Sequence, residues 1–161
     1  MIIFVMGVSG SGKTTIGQLL AERLNYHFAD ADDWHSDLNR HKMSQGIPLT
    51  DGDRHSWLDD LRTSIDSWIH NGENVVLACS ALKQTYRDRL SNHHFNVQWV
   101  YLNGRFEVIQ QRLNTRTDHF MSAMLLESQF AALEEPDDAI VVDIEQETDA
   151  IVSAIATHVE S

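Results

Sequence analysis

Directly behind an apolar run, Ile2–Met6, the chain reads Gly7-Val8-Ser9-Gly10-Ser11-Gly12-Lys13-Thr14, and an amphipathic stretch follows from Thr15. No other feature restricts the fold so strongly. The pattern G-x-x-x-x-G-K-[ST] between a strand and a helix makes a phosphate cradle. Its glycines let the backbone curl so that successive N–H groups point inward at phosphate oxygens. The helix start adds its partial positive charge. Lys13 then reaches the β- and γ-phosphates of a nucleotide, and the Thr14 hydroxyl is a ligand for Mg²⁺. Gly7, Val8, Ser9, Gly10, Ser11, Gly12, Lys13, Thr14 and Thr15 are the expected nucleotide-binding residues.

Three further short apolar runs, Val75–Cys79, Val97–Leu102 and Ala139–Val142, read as buried strands, and Tyr26–Ala29 as a weaker one. Between them lie helical patterns. Ile16, Leu19, Leu20 and Leu24 share one face; Leu58, Leu61, Ile65, Trp68 and Ile69 share another; Ile151, Ala154, Ile155 and Val159 share a third. Strands alternating with helices predict an α/β fold, a three-layer parallel sheet of about five strands flanked by helices. Ligands of such sheets bind beyond the carboxyl ends of the strands. A length of 161 residues suits one domain, 1–161. The polar stretch from Trp34 to Trp57 carries little strand signal and is expected to be a helical insertion, 33–58, beside the site.

Charge narrows the partners. Twelve Lys and Arg against 24 Asp and Glu leave −12, a surface that repels nucleic acid and anionic membranes. The single cysteine, Cys79, excludes an intrachain disulfide and points to a reducing compartment, the cytoplasm. No apolar run approaches the roughly 20 residues that span a bilayer, and the first residues lack a basic leader. Cys79 ends an apolar strand and reads as core. The nine histidines show no zinc spacing, so no structural metal is expected, and His93-His94 lies in a polar turn with no catalytic role. Trp34, Trp57, Trp68 and Trp99 read as packing, with Trp57 also a candidate for lining a pocket.

The cradle alone does not say which nucleotide machine this is. A guanine reader N-K-x-D is missing, and Val75–Cys79 runs into Ser80-Ala81-Leu82-Lys83 with no carboxylate. The acids stand at Asp30 and Asp32 instead. In extended chain, residues two apart face the same way, so both can enter the cleft. One would hold Mg²⁺, directly or through water, while the other takes the proton of an acceptor hydroxyl. A solvated acidic turn of Asp30, Asp32 and Asp33 is the alternative.

From the cradle through Asp30-Ala31-Asp32, His35, Asn39, Lys42-Met43, Gly46-Ile47-Pro48-Leu49, Asp53-Arg54 and Trp57-Leu58, the chain resembles the gluconokinase family. The match continues through Cys79-Ser80-Ala81-Leu82-Lys83, Tyr86-Arg87-Asp88, His119-Phe120-Met121, Leu125-Leu126-Glu127-Ser128-Gln129-Phe130 and Leu133-Glu134-Glu135-Pro136. The resemblance implies ATP-dependent phosphorylation of D-gluconate to 6-phospho-D-gluconate with Mg²⁺. It also implies a fold similar to shikimate and nucleoside-monophosphate kinases, and a homodimer. The competing readings are a kinase for another small hydroxy acid, such as shikimate, and a nucleotide-gated binding module without turnover.

Within that resemblance the site residues take roles. Lys13, Asp32, Arg112 and Arg116 are expected to be catalytic, with Thr14 and Asp30 at the metal. Gluconate is an anion bearing hydroxyls, so its site needs a bidentate cation and hydrogen-bond partners. Arg54 is the expected carboxylate clamp, supported by Lys42, Lys83 and Arg87. His35 and Asn39, at i and i+4, would present to hydroxyls, with Ser80 and Trp57 completing the pocket. Arg112 and Arg116 resemble lid arginines that close over the triphosphate, within a lid spanning 112–130. Seven of the twelve cations are thereby expected to converge on anions. Ser36, Ser56 and Ser122 replace family prolines, a change expected to soften loops by roughly 0.4–1 kcal/mol each. Ala31 replaces a family glycine and would be strained if its φ were positive.

Overall fold

The computed structural model describes residues 1–92, 94–115 and 123–161. In chain order its elements are β1 (Ile2–Met6), α1 (Lys13–Leu24), β2 (His27–Asp30), a 3-10 turn (Ala31–Trp34), α2 (Asp37–Ser44) and α3 (Asp51–His70). There follow β3 (Val75–Ala78), α4 (Gln84–Ser91), β4 (Val97–Asn103), α5 (Phe106–Thr115), α6 (Ala123–Ala132), β5 (Ile140–Asp143) and α7 (Thr148–Glu160). The five strands form one parallel sheet in the order β2-β3-β1-β4-β5. The expected α/β architecture is present, with strand ends within a residue of the apolar runs.

β1 is buried along its whole length because both faces of a central strand are covered. Its pleat deals side chains alternately to two cores. Ile3 and Val5 join Val76, Val100, Leu102 and Val142 beneath α1, α5, α6 and α7. Ile2, Phe4 and Met6 join Val75, Leu77, Trp99 and Tyr101 beneath α3 and α4. Phe4 stacks on Trp99 at 4.0 Å, a pair worth about 1 kcal/mol beyond its buried area.

Two helix faces differ from expectation. The buried residues of α1 are Ile16, Gly17, Leu20 and Ala21, while Leu19 is exposed. Gly17 is the reason: a Cβ there would meet the Phe28 ring at 2.7 Å, so the helix rolls its bare backbone onto β2. In α7 the buried set is Ile151, Val152, Ile155 and Ala156, and Ala154 faces out, since α7 also packs along α1.

The insertion is helical, as expected, but its second helix does not stop at residue 58. α3 runs on to His70 as one helix whose Trp57, Leu58, Leu61 and Ile65 seat it on the sheet. Its start is fixed by a capping box, in which Thr50 Oγ1 accepts from the Asp53 N–H and Asp53 accepts from the Thr50 N–H. Ser36 accepts from the Asn39 N–H as the N-cap of α2, a bond proline could not supply, so this replacement orders the loop it was expected to soften. Ser56 lies within α3, and Ser122 lies outside the described residues. Ala31 has no positive φ; it is buried, begins the 3-10 turn and is unstrained.

Candidate active site

At the carboxyl end of β1 the cradle turns through Gly7 (φ 153°), Gly10 (φ 82°) and Gly12 (φ 100°) into the start of α1. Space confirms the need for glycine at two of them. A Cβ on Gly7 would lie 2.7 Å from Ser11 Oγ, and one on Gly10 would lie 2.9 Å from Leu113 on α5. Lys13 Nζ donates to the Val8 carbonyl at 3.1 Å, folding over its own loop. The Ser9 N–H donates to Gln129 Oε1 at 2.8 Å, which brings α6 against the cradle.

Asp30 closes β2 and caps the following 3-10 turn. Its Oδ1 accepts from the Asp32 N–H at 3.0 Å, and its Oδ2 accepts from the Thr14 hydroxyl at 3.1 Å. Asp32 therefore does not lie in extended chain, and the alternation argument for the two acids fails. The turn brings Asp32 into the cleft by another route. Thr14 and Asp30 put two hard oxygen donors together at the foot of the cradle, a donor set suited to Mg²⁺. Burial of its surroundings and then the Asp30 charge raise the Asp32 carboxyl above the ordinary range.

One cavity of about 360 Å³ joins these groups to the insertion. Ser9 and Lys13 of the cradle line it together with Asp32, His35, Asp51, Arg54, Ser80 and Lys83, and α6 closes it with Leu125, Ser128, Gln129 and Ala132. Arg54 donates to the Leu49 carbonyl at 2.8 Å and lies over the Tyr86 ring. Lys83 Nζ bonds Asp51 at 3.0 Å, and the Tyr86 hydroxyl donates to the same carboxylate oxygen. The Tyr86 bond, then Lys83, holds Asp51 below the usual carboxylate range, and Asp51 in turn raises Lys83.

His35 is buried and stacks on Trp57 at 4.4 Å. Burial, then the Arg54 and Arg40 charges, lower it to about 4, so its ring is neutral. Trp57 lies behind His35, its indole N–H bound to the Ala31 carbonyl at 2.8 Å, and does not line the cavity.

Of the seven cations expected to converge on anions, the cavity brings together three. Lys13, Arg54 and Lys83 share the cavity. Lys42 pairs with Asp53 at 2.9 Å and locks α2 to the start of α3. Arg87 is 2% exposed; it donates to the carbonyls of Ala81, Leu82 and Glu134 and to Gln84 Oε1. It clamps the turn after β3, where Ala81 sits at φ 43°, and so acts behind Ser80 and Lys83 rather than beside a ligand. Arg112 donates to the Ile144 carbonyl at 2.8 Å and does not line the cavity. Arg116 lies outside the described residues, as do His93 and 117–122 of the expected lid.

Sequence reasoning missed Asp51, Tyr86 and Gln129. Asp51 reads as an ordinary first-turn acid, and Tyr86 as a core aromatic. A signal for Gln129 existed: Leu125, Ser128, Gln129 and Ala132 recur at 0, 3, 4 and 7, which places two polar residues on a helix face that ought to be apolar. Cys79 is buried and its thiol is pushed up to about 12, which fits core and not nucleophile. His94 bonds Asp66 at 2.8 Å, tying α3 to the loop before β4. Among the described residues no helix is long and apolar enough to cross a membrane.

The shikimate kinase family profile matches residues 9–160. The thermosensitive gluconokinase of Escherichia coli (strain K12) is 45% identical, over 87% of this chain and 77% of its own length. A sugar kinase structure from Janibacter sp. superposes with a TM-score of 0.92 at 44% identity, covering 99% of this chain and 94% of the other. A gluconokinase structure from Sinorhizobium meliloti gives 0.85 at 38% identity, covering 98% and 94%. With the family match over residues 9–160 and these relatives, the chain belongs to the gluconokinase family of shikimate kinase-like proteins.

Proposed function

We propose that the protein transfers the γ-phosphoryl group of ATP to a hydroxyl of D-gluconate, yielding 6-phospho-D-gluconate and ADP. One observation carries this reading: Lys13 and Ser9 of the cradle share a single cavity with Arg54, Lys83 and the Asp32 carboxylate. A nucleotide switch has no use for the second half of that cavity.

The residues divide the work. The N–H groups of Gly7–Thr15 hold the phosphates, and Lys13 swings from the Val8 carbonyl onto the β- and γ-phosphates. Arg54 takes the gluconate carboxylate, with Lys83 and Ser80 on the hydroxyls. Asp32, raised above the ordinary carboxylate range, accepts the proton of the attacking hydroxyl. That oxygen bonds to the γ-phosphorus as the bond to the β–γ bridging oxygen breaks, and ADP leaves with the electron pair. Thr14 and Asp30 would hold Mg²⁺, which offsets phosphate charge when bound. The lone buried thiol suits a reducing cytoplasm, and a homodimer, implied by the resemblance, is testable by sedimentation.

A coupled assay over gluconate, shikimate and other polyol acids tests the reading. Turnover is expected on gluconate. Turnover on shikimate alone would replace the acceptor, and ATP binding without transfer to any acceptor would leave a binding module. Arg54→Ala is expected to raise the gluconate KM roughly 10–100-fold, the worth of a charged hydrogen bond, with the ATP KM unchanged. Equal weakening of both ligands would move Arg54 to the nucleotide side.

A further inference from the structure

The hydrogen bonds around Asn39 determine which nitrogen of His35 carries its proton. Asn39 is 5% exposed, and its side-chain Nδ2 lies 2.8 Å from the Asp53 carbonyl. A carbonyl only accepts, so the atom facing it must be the amide NH₂ and the flip of Asn39 is fixed. Asp53 itself cannot drift, because Thr50 and Lys42 hold its side chain. The second hydrogen of the same NH₂ faces His35 Nδ1 at 3.3 Å. Only a bare Nδ1 can receive it. The neutral ring therefore carries its hydrogen on Nε2.

That nitrogen is the one near the Asp32 carboxylate. His35 Nε2 lies 4.0 Å from Asp32 Oδ1, too far for a direct hydrogen bond. A single oxygen atom can nevertheless stand within hydrogen-bond reach of both. Trp57 stacks flat on the ring and fixes its plane, so Nε2–H has one direction.

We propose that His35 contributes to phosphoryl transfer as a neutral hydrogen-bond donor, its Nε2–H and the Asp32 carboxylate together gripping the acceptor hydroxyl, and that Asn39 is the positioning residue that enforces this tautomer. This rests on the kinase reading above. The hydroxyl donates its hydrogen to Asp32 and accepts from His35. As its proton passes to Asp32, the negative charge growing on oxygen is met by Nε2–H. Asn39 was expected to touch a substrate hydroxyl; here it acts through the imidazole instead. The arrangement excludes His35 as the base, since Nε2, the nitrogen near Asp32, has no lone pair to offer. The charged groups around the ring are Asp32, Arg40 and Arg54.

The first test is independent of substrate. Long-range ¹H–¹⁵N correlation of the histidine rings in the intact protein, with His35→Gln used to assign the signal, reports the protonated nitrogen. Protonation at Nε2 with a bare Nδ1 at neutral pH is expected, and a proton on Nδ1 would overturn the assignment. The second test is turnover on whichever acceptor the wild type uses. His35→Gln, whose amide N–H reaches the Nε2 position, is expected to keep kcat at least roughly tenfold above His35→Asn, whose amide ends near Nδ1; a tenfold step is within the worth of one such hydrogen bond. Asn39→Ala is expected to lower kcat in the wild-type background, with the ATP KM unchanged, yet to cost nothing further beside His35→Gln. Equal kcat for the two His35 variants, or additive losses in the double variant, would overturn the proposal while leaving the kinase reading intact. Absence of transfer by the wild type to any acceptor would instead remove the reading itself and leave the tautomer measurement standing.

Discussion

In the cradle, the expected ligand contacts come from backbone N–H groups and two side chains within residues 7–15, while the rest of the cavity wall gathers side chains from five stretches between Asp32 and Ala132. The cradle is a conformation: three glycines at positive φ and the start of one helix define it. The cavity wall is an assembly, held by a second layer that does not line the cavity. Lys42 fixes Asp53, Asp53 fixes Asn39, and Asn39 with Trp57 fixes His35. Arg87 likewise holds the turn that presents Ser80 and Lys83. A site made of backbone fails when a glycine or its lysine changes. A site made of side chains can fail from behind.

The largest effect sharpens the cradle side. Lys13→Ala is expected to reduce kcat by about 10²–10³-fold, as loss of one charge-stabilising donor does elsewhere. Steady-state kinetics checks this, and an unchanged kcat would remove Lys13 from the transfer.

Next comes the support of the wall. Arg87→Met leaves the Ala81 and Glu134 carbonyls without their donor, while Leu82 keeps the Glu134 N–H, and a loss of about 3 kcal/mol of stability is expected from denaturant unfolding. The gluconate KM should rise more than the ATP KM, because the turn carries Lys83 and not the cradle. Equal shifts in both would show that the two halves are not separable.

The pH dependence of stability isolates His35. Its value falls from 6.5 when unfolded to about 4 when folded, so between these pH values the unfolded chain binds the extra proton. Stability from this group is present above pH 6.5 and is lost as pH falls to 4, by up to about 3 kcal/mol. Asp32, raised in the fold, contributes in the opposite direction as pH rises past 3.8. The difference between wild type and His35→Gln removes that term, and it should shrink monotonically from pH 7 to pH 4. A flat difference would mean that the ring is not held neutral.

The smallest effect concerns the turn itself. Ala81→Gly relieves a positive φ of 43° but loosens the unfolded chain, and the two cancel to within about 0.5 kcal/mol. A larger loss would show that the Ala81 methyl, not its backbone, matters there.

The sheet and its order of elements were legible because buried parallel strands leave continuous apolar runs, as Ile2–Met6 and Val75–Ala78 do. The faces of α1 and α7 were less legible, because Gly17 turns α1 onto Phe28 and α7 packs on α1 as well as on the sheet. In the candidate site, the resemblance singled out Arg54 and Lys83, and both line the cavity. Arg87 was not readable as a clamp, since nothing local distinguishes a buried arginine from a ligand-binding one. Asp51, Tyr86 and Gln129 were given no role in the site because their partners are far away in sequence.

The sequence by itself determined the cradle, since its turn is set by its own glycines and by the helix it opens, with Leu113 and Gln129 only packing against it. Tertiary structure decided everything whose meaning is a neighbour: which cations face the cavity, which acid stands at Thr14, and which way the His35 ring carries its proton. Hydrogen bonds are worth what they are only at fixed distance and angle, and for these groups the fold alone fixes both.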